Sequence, residues 1–236
     1  MATPIKLSEV MTASAEAVFE VRAVVQTGLS IGAAGARSSA VDRAVVKDAH
    51  GRFIIPGSHL KGRLRHECEK LGRAVGKTIC DSPRAELMCP QLNSGKQPEE
   101  AELTRQLIID ELGAMPCSVC RLFGNPAFTG ALVFADLVWD VAYPTDTIRN
   151  RVSINRRRRT AEEKRLFFVE TSPTGVDLDF VGTITAKRDL SPWEVKLLLA
   201  AMSQIHALGG SKSVGSGWAE VSCPELLRLN ERTVIK

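Results

Sequence analysis

What this 236-residue chain lacks narrows it first. No stretch of 18 or more apolar residues occurs, so no transmembrane helix is expected. Residues 1–10 have no apolar segment behind a basic start, and no secretory leader is expected either. Aromatic residues are only 5%, with a single tyrosine, which argues against single-strand binding built on rows of stacked bases. Net charge is also small, +4 from 31 basic and 27 acidic residues. What remains is ordinary: 44% apolar and 25% charged residues describe a folded chain rather than a disordered one.

The mild average hides an uneven distribution. Between positions 147 and 165 lie Arg149, Arg151, Arg156, Arg157, Arg158, Arg159, Lys164 and Arg165, opposed only by Glu162 and Glu163. That stretch carries +6, and the rest of the chain carries −2. A second basic cluster, Lys61, Arg63, Arg65, Lys70, Arg73 and Lys77 against Glu67 and Glu69, lies at 57–77. Concentrated positive charge on a nearly neutral body is the footprint of a phosphate-backbone binder. On charge alone a solvated hairpin tip or a basic localisation run explains it equally well.

Six cysteines without a leader point to a reducing compartment, where spacing favours a metal over disulfides. Cys117 and Cys120 form a CxxC, and Cys80 and Cys89 lie upstream in proline-containing loops. Two thiolates on one tight turn reach the same ion, so these four fit a closed tetrahedral Zn²⁺ site. His66 is the rival ligand to Cys80. Cys68 falls on an apolar helix face and reads as core, and Cys223 as a lone thiol. A redox CxxC lacks the strand-to-helix setting such motifs need.

Along the chain, residues 18–26 alternate as a half-buried strand, and 27–52, rich in Gly, Ala and Ser, read as a long loop. A helix is expected from Ser58, with Leu60, Leu64, Cys68, Leu71 and Val75 on one face. Another is expected over 99–112. Residues 131–138 form a nearly continuous apolar strand suited to a central position. The arginine-rich stretch, flanked by apolar residues, fits a protruding hairpin over 146–170. Residues 176–185 alternate again. Ser191-Pro192-Trp193-Glu194 is a capping box with proline at N1, so a helix starts there, with Gly209 expected to stop it. A last strand is expected at 217–222. The order strand, helix, strand, strand, helix, strand gives an α+β, ferredoxin-like (RRM-like) core. It reads as one domain over 1–236 with two insertions, a zinc and helical lid at 79–122 and the basic hairpin at 146–170.

Four ordered segments carry a resemblance. Ile55-Pro56-Gly57-Ser58-His59-Leu60-Lys61-Gly62-Arg63-Leu64-Arg65 resembles the IPGSSLKGxxR element of the RAMP (repeat-associated mysterious protein) superfamily. Thr27-Gly28-Leu29-Ser30-Ile31-Gly32 is similar to its TGLHIGG segment, and Leu122-Phe123-Gly124 follows the CxxC. The stretch Gly209-Gly210-Ser211-Lys212-Ser213-Val214-Gly215-Ser216-Gly217 resembles its glycine-rich loop; taken alone, it reads as a helix stop and a turn. It is not a Walker A loop, because the GK[ST] order is absent. The nearest member type is the backbone subunit of type III CRISPR interference complexes of the Csm/Cmr kind.

The resemblance implies a prokaryotic, cytoplasmic subunit that stacks with copies of itself or paralogues along a CRISPR guide RNA. In that family a hairpin thumb intrudes between guide and target RNA, and the arginine-rich stretch holds the thumb's place in sequence order. The residues expected to meet RNA are Ser58, Lys61, Arg63, Arg65, Arg149, Arg151, Arg156, Arg157, Arg158, Arg159, Gly210, Lys212, Ser213 and Gly215. A helix start at Ser58 offers N–H donors to a phosphate, and holding the backbone rather than the bases suits a protein that must accept any guide.

Asp42, within Ala40-Val41-Asp42-Arg43-Ala44-Val45-Val46-Lys47-Asp48, matches the family's IDxPVxKD pattern, with Ala44 in place of the proline. The resemblance implies that Asp42 cuts target RNA by 2′-OH attack on the neighbouring phosphate, with a divalent cation such as Mg²⁺. His50 and His59 are the candidate helpers, and Asp48 reads as a turn residue. By residue type alone, a loop aspartate caps a turn more often than it catalyses. The competing expectation is a structural subunit that holds guide RNA without cutting. A guide-processing endoribonuclease ranks lower, because no histidine or tyrosine near the N-terminus is well placed.

Overall fold

The computed structural model describes residues 17–32, 41–84, 88–89, 116–126, 129–141 and 147–228. The expected helix over 99–112 lies outside the described residues. The central sheet is antiparallel and runs in the order β2 (Ile54–Ile55), β4 (Leu137–Val138), β7 (Leu178–Ala186), β1 (Ala17–Val25), β8 (Ala219–Ser222), and β3 (Leu132–Phe134) also pairs with β7. Helices α1 (Gly57–Ala74) and α3 (Pro192–Ser203) pack on each other, and the short α2 (Ser118–Phe123) lies against α1. Phe19, Val21, Ala23 and Val25 of β1 share one buried core with Leu60 and Leu64 of α1 and Leu197, Leu198 and Ala201 of α3. The residues between them on β1 face the other way, and among the described residues no helix covers that face of the sheet. This is the mixed α+β, RRM-like arrangement that the order of elements implies, with β8, β1, β7 and the β3/β4 pair as its four strands.

The capping box is formed as expected. Ser191 Oγ accepts from the Glu194 N–H, and the Glu194 carboxylate accepts from the Ser191 N–H. Glu194 is buried; burial pushes its carboxyl up, but Arg188 and Ser191 outweigh that and hold it below the usual range.

Two expectations need correcting. The helix begun at Ser191 ends at Ser203, well before Gly209, because Ile205 and Leu208 turn into the core and Ala207 bridges to Trp218. The apolar run at 131–138 is not one strand. It breaks between Phe134 and Leu137, where Gly57 approaches so closely that a Cβ would sit 2.5 Å from the Phe134 carbonyl oxygen. Asp136, in that break, accepts from the Gly57 N–H at 2.8 Å and caps the start of α1 across 79 positions of sequence.

The long loop after β1 is partly built into the fold. Leu29, Ile31, Val41 and Val45 are buried, and Arg43 bridges in parallel to Val169. The arginine-rich stretch forms a two-stranded antiparallel hairpin, β5 (Thr147–Asn155) with β6 (Thr160–Thr171). From Val152 to Phe167 nearly every residue is exposed. Its tip is organised by Asn155, whose side-chain oxygen accepts from the Arg157 and Arg158 N–H groups, both at 3.1 Å. Arg159 adopts the left-handed backbone conformation that closes the turn.

Candidate nucleic-acid interface and cysteine centre

Segments far apart in the chain meet at one end of the sheet. The Gly217 N–H donates to the Gly28 carbonyl at 3.1 Å, and the Gly210 N–H to the Ser30 carbonyl at 2.8 Å. Thr27 Oγ1 accepts from the Trp218 N–H at 2.9 Å. The glycine-rich loop is thus laced to the 27–32 segment on both its limbs. Gly217 has a positive φ, and a Cβ there would overlap the Leu208 carbonyl oxygen, so no other residue fits this crossing. The loop is also tied to α1, because His59 Nε2 accepts from the Gly209 N–H at 2.9 Å. That bond requires neutral imidazole. Burial, then Lys212 and Arg63, push the His59 pKa down and favour that form.

The hairpin joins the same end. Arg151 donates to Ser211 Oγ at 2.8 Å, and Arg149 lies beside Gly28. On the far edge of β6 the Asp42 loop pairs with it. The Asp42 N–H donates to the Phe168 carbonyl, and Asp42 Oδ2 accepts from the Phe168 N–H at 2.8 Å. Phe168 is opposite Asn150 on β5, so Asp42 stands about two strand spacings, roughly 10 Å, across the hairpin from the residues flanking Arg151. Just below, Glu170 anchors the loop, accepting from the Val45 N–H at 2.9 Å and pairing with Lys47 at 3.0 Å.

The four cysteines come together as their spacing predicts. The Sγ atoms of Cys80, Cys89, Cys117 and Cys120 all lie within 4.8 Å of one another, and the group can hold a metal ion. Cys80 and Cys120 are 3.3 Å apart and Cys117 and Cys80 3.7 Å, against about 3.8 Å for a tetrahedron of thiolates around Zn²⁺. The hydrogen bond from Cys120 is the main reason that the Cys117 thiol falls to about 4, while the same contact pushes Cys120 up. His66 is exposed on α1 and is not in the group, so Cys80 keeps its place. Cys68 and Cys223 are buried elsewhere.

The RAMP superfamily is matched over residues 22–220, most of the chain. The chain belongs to the RAMP superfamily. No curated protein matches it. RAMP membership makes it a CRISPR-associated, RNA-binding protein that works with other CRISPR subunits. The described residues contain no helix long and apolar enough to cross a membrane.

The residues expected to meet RNA in this RAMP protein fall into two groups, exposed and drawn inward. Arg156, Arg157, Arg158 and Arg159 are exposed at the hairpin tip, and Ser58, Gly210, Lys212, Ser213 and Gly215 are exposed or nearly so around the meeting point. Lys61 is partly exposed, one turn into α1. Arg63 lies against Glu67 at 3.0 Å. Arg65 is turned inward: it donates to the Gly124 carbonyl at 2.6 Å, pairs with Glu69 at 2.9 Å and reaches Cys120 Sγ at 3.8 Å. It thereby links α1 to the Leu122-Phe123-Gly124 segment and sets a positive charge beside the thiols. Asp136 escaped sequence reasoning. Its signal is a lone acid inside an apolar run, which names no partner.

Proposed function

We propose that this protein is a backbone subunit of a type III CRISPR effector complex, with copies or paralogues stacked along a guide RNA. The observation that carries this reading is the meeting of the 27–32, 57–65 and 209–217 segments at the base of an exposed, arginine-tipped hairpin. Backbone N–H groups, Ser58, Lys61 and Lys212 hold the guide's phosphates there, and Arg149 and Arg151 continue that surface onto the hairpin. The hairpin acts as the thumb between guide and target RNA. The four cysteines hold a structural Zn²⁺ that fixes the loop beneath α1. Free thiols and CRISPR association suit the prokaryotic cytoplasm.

Asp42 is the residue proposed to cut target RNA. As the 5′-oxygen leaves, taking a proton from water, the ribose 2′-OH attacks the adjacent phosphorus and passes its own proton to a base, giving a cyclic 2′,3′-phosphate and a 5′-hydroxyl. Asp42 takes that proton or holds a divalent cation such as Mg²⁺. A second reading has its own observation: Asp42 Oδ2 already accepts from the Phe168 N–H, so its carboxylate can serve only to pin the hairpin in a subunit that does not cut.

One pair of variants separates the two. Asp42→Asn keeps an oxygen for the Phe168 N–H and removes the charge, whereas Asp42→Ala removes both. In the assembled complex, a catalytic Asp42 means that Asp42→Asn binds target RNA normally and loses at least 100-fold in cleavage. Undiminished cleavage by Asp42→Asn would leave the non-cleaving, pinning role.

A further inference from the structure

The three tryptophans are treated differently by the fold. Trp139 packs against Phe53, and the Trp193 ring lies under Lys77. Trp218 keeps 51% of its surface in water. Its backbone, by contrast, is held on every side. Its N–H donates to Thr27 Oγ1, its carbonyl accepts from the Gln26 N–H at 2.8 Å, and it bridges to Ala207. The ring therefore stands on a rigid strand start, between the 27–32 segment and the glycine-rich loop. Among the described residues its ring takes part in no aromatic or cation–π pair.

We propose that Trp218 is a stacking platform for one RNA base at the edge of the glycine-rich loop; the inference rests on the RNA-binding reading of that loop. The loop's backbone and Lys212 hold phosphates, and the adjacent indole takes the π-face of a base. Every base has such a face, so stacking adds affinity without demanding a sequence. The scarcity of aromatics excludes a row of platforms but not a single one at a fixed place. Glu220, next along the same face of β8, marks where the RNA-compatible surface ends.

The test uses the full chain, mixed-sequence single-stranded RNA, and the variants Trp218→Ala and Trp218→Phe. Trp218→Ala should bind about 10-fold more weakly at every salt concentration, with the slope of log affinity against log salt unchanged, because no ionic contact is lost. Trp218→Phe keeps a π-face and should stay within about 3-fold of the natural chain. RNA should also shield the natural protein's fluorescence from acrylamide, and that shielding should vanish in Trp218→Phe, where only Trp139 and Trp193 emit. Normal binding by Trp218→Ala, or shielding that persists in Trp218→Phe, would overturn the platform while leaving the RNA-binding reading standing. Shielding that grows with protein concentration alone would assign the indole to a protein contact and also overturn it. Absence of RNA binding by the natural chain would overturn both readings together.

Discussion

The two exposed surfaces of the sheet region have opposite electrostatic characters. Within the described strands, the face opposite the helices presents Glu20, Asp179 and Glu220 with Arg22, and Arg22 is already paired with Glu20 at 2.9 Å and Asp179 at 3.5 Å. Cross-strand pairing puts these side chains together, since Val24 is opposite both Asp179 and Glu220. The end of the sheet where the motifs meet presents Lys61, Arg149, Arg151 and Lys212, with the arginine tip beyond. An RRM-like sheet offers its open face as the obvious RNA surface, commonly lined with aromatics. Among the described residues that face is acidic and lacks aromatics except at its margin, which supports the loop end as the proposed path of the phosphates. The shared architecture alone does not place the RNA; the side chains are what support the proposed path.

The largest expected effect comes from the cysteines, because they brace the basic end and not the acidic face. A structural site of four thiolates contributes on the order of 10 kcal/mol to a segment that folds around it. Chelation of the metal, or Cys117→Ser, is therefore expected to raise amide exchange in α2 and the first turns of α1, through Arg65, while β1 and β7 stay protected. Elemental analysis should find one tightly held zinc per chain. Less than half an equivalent after dialysis, or exchange rising equally in the sheet, would break the proposed division of labour.

Next in size is the hairpin tip. Reversing Arg156, Arg157, Arg158 and Arg159 to glutamate should weaken RNA binding about 100-fold and reduce the salt slope by about 3, at roughly 0.7 per phosphate contact on single-stranded RNA. Neutralising Glu20, Asp179 and Glu220 to their amides should change affinity by less than about 3-fold, as the proposed RNA path does not reach them. Equal effects from the two sets would mean that charge acts only as a general field and that the tip is not a contact.

How much of this was legible depends on the range of the interaction. The capping box at Ser191 and Glu194 is local, and its sequence signature gave the helix start directly. The cysteine spacing points to four cysteines, and those four do meet, whatever the course of the intervening chain. The break in the 131–138 run was hidden, because its cause, the close approach of Gly57, lies 79 positions away from Asp136. Arg65 looked like part of a basic helix face. Its commitment to Gly124 and Glu69 follows from where α2 packs, which helical periodicity does not reveal. Asp42 had a local reading as a turn residue, yet its partner is Phe168 on the hairpin.

The smallest effect tests the junction itself. His59 joins α1 to the glycine-rich loop only as neutral imidazole, since Nε2 must accept from the Gly209 N–H. Its pKa is lowered in the fold by burial, with Lys212 and Arg63 adding to that, so the unfolded chain binds the proton more readily. The stabilisation is therefore complete above the ordinary histidine value of about 6.5 and is lost as pH falls through the lower folded value. Comparing pH 7.5 with pH 5, the natural chain should lose about 1 kcal/mol from this contact, the scale of one hydrogen bond. His59→Gln, whose amide oxygen can accept at either pH, should lack that part of the pH dependence. The difference between the two unfolding curves isolates the junction from the rest of the molecule. Curves that remain parallel would show that the loop is held by its backbone lacing to Gly28 and Ser30 alone.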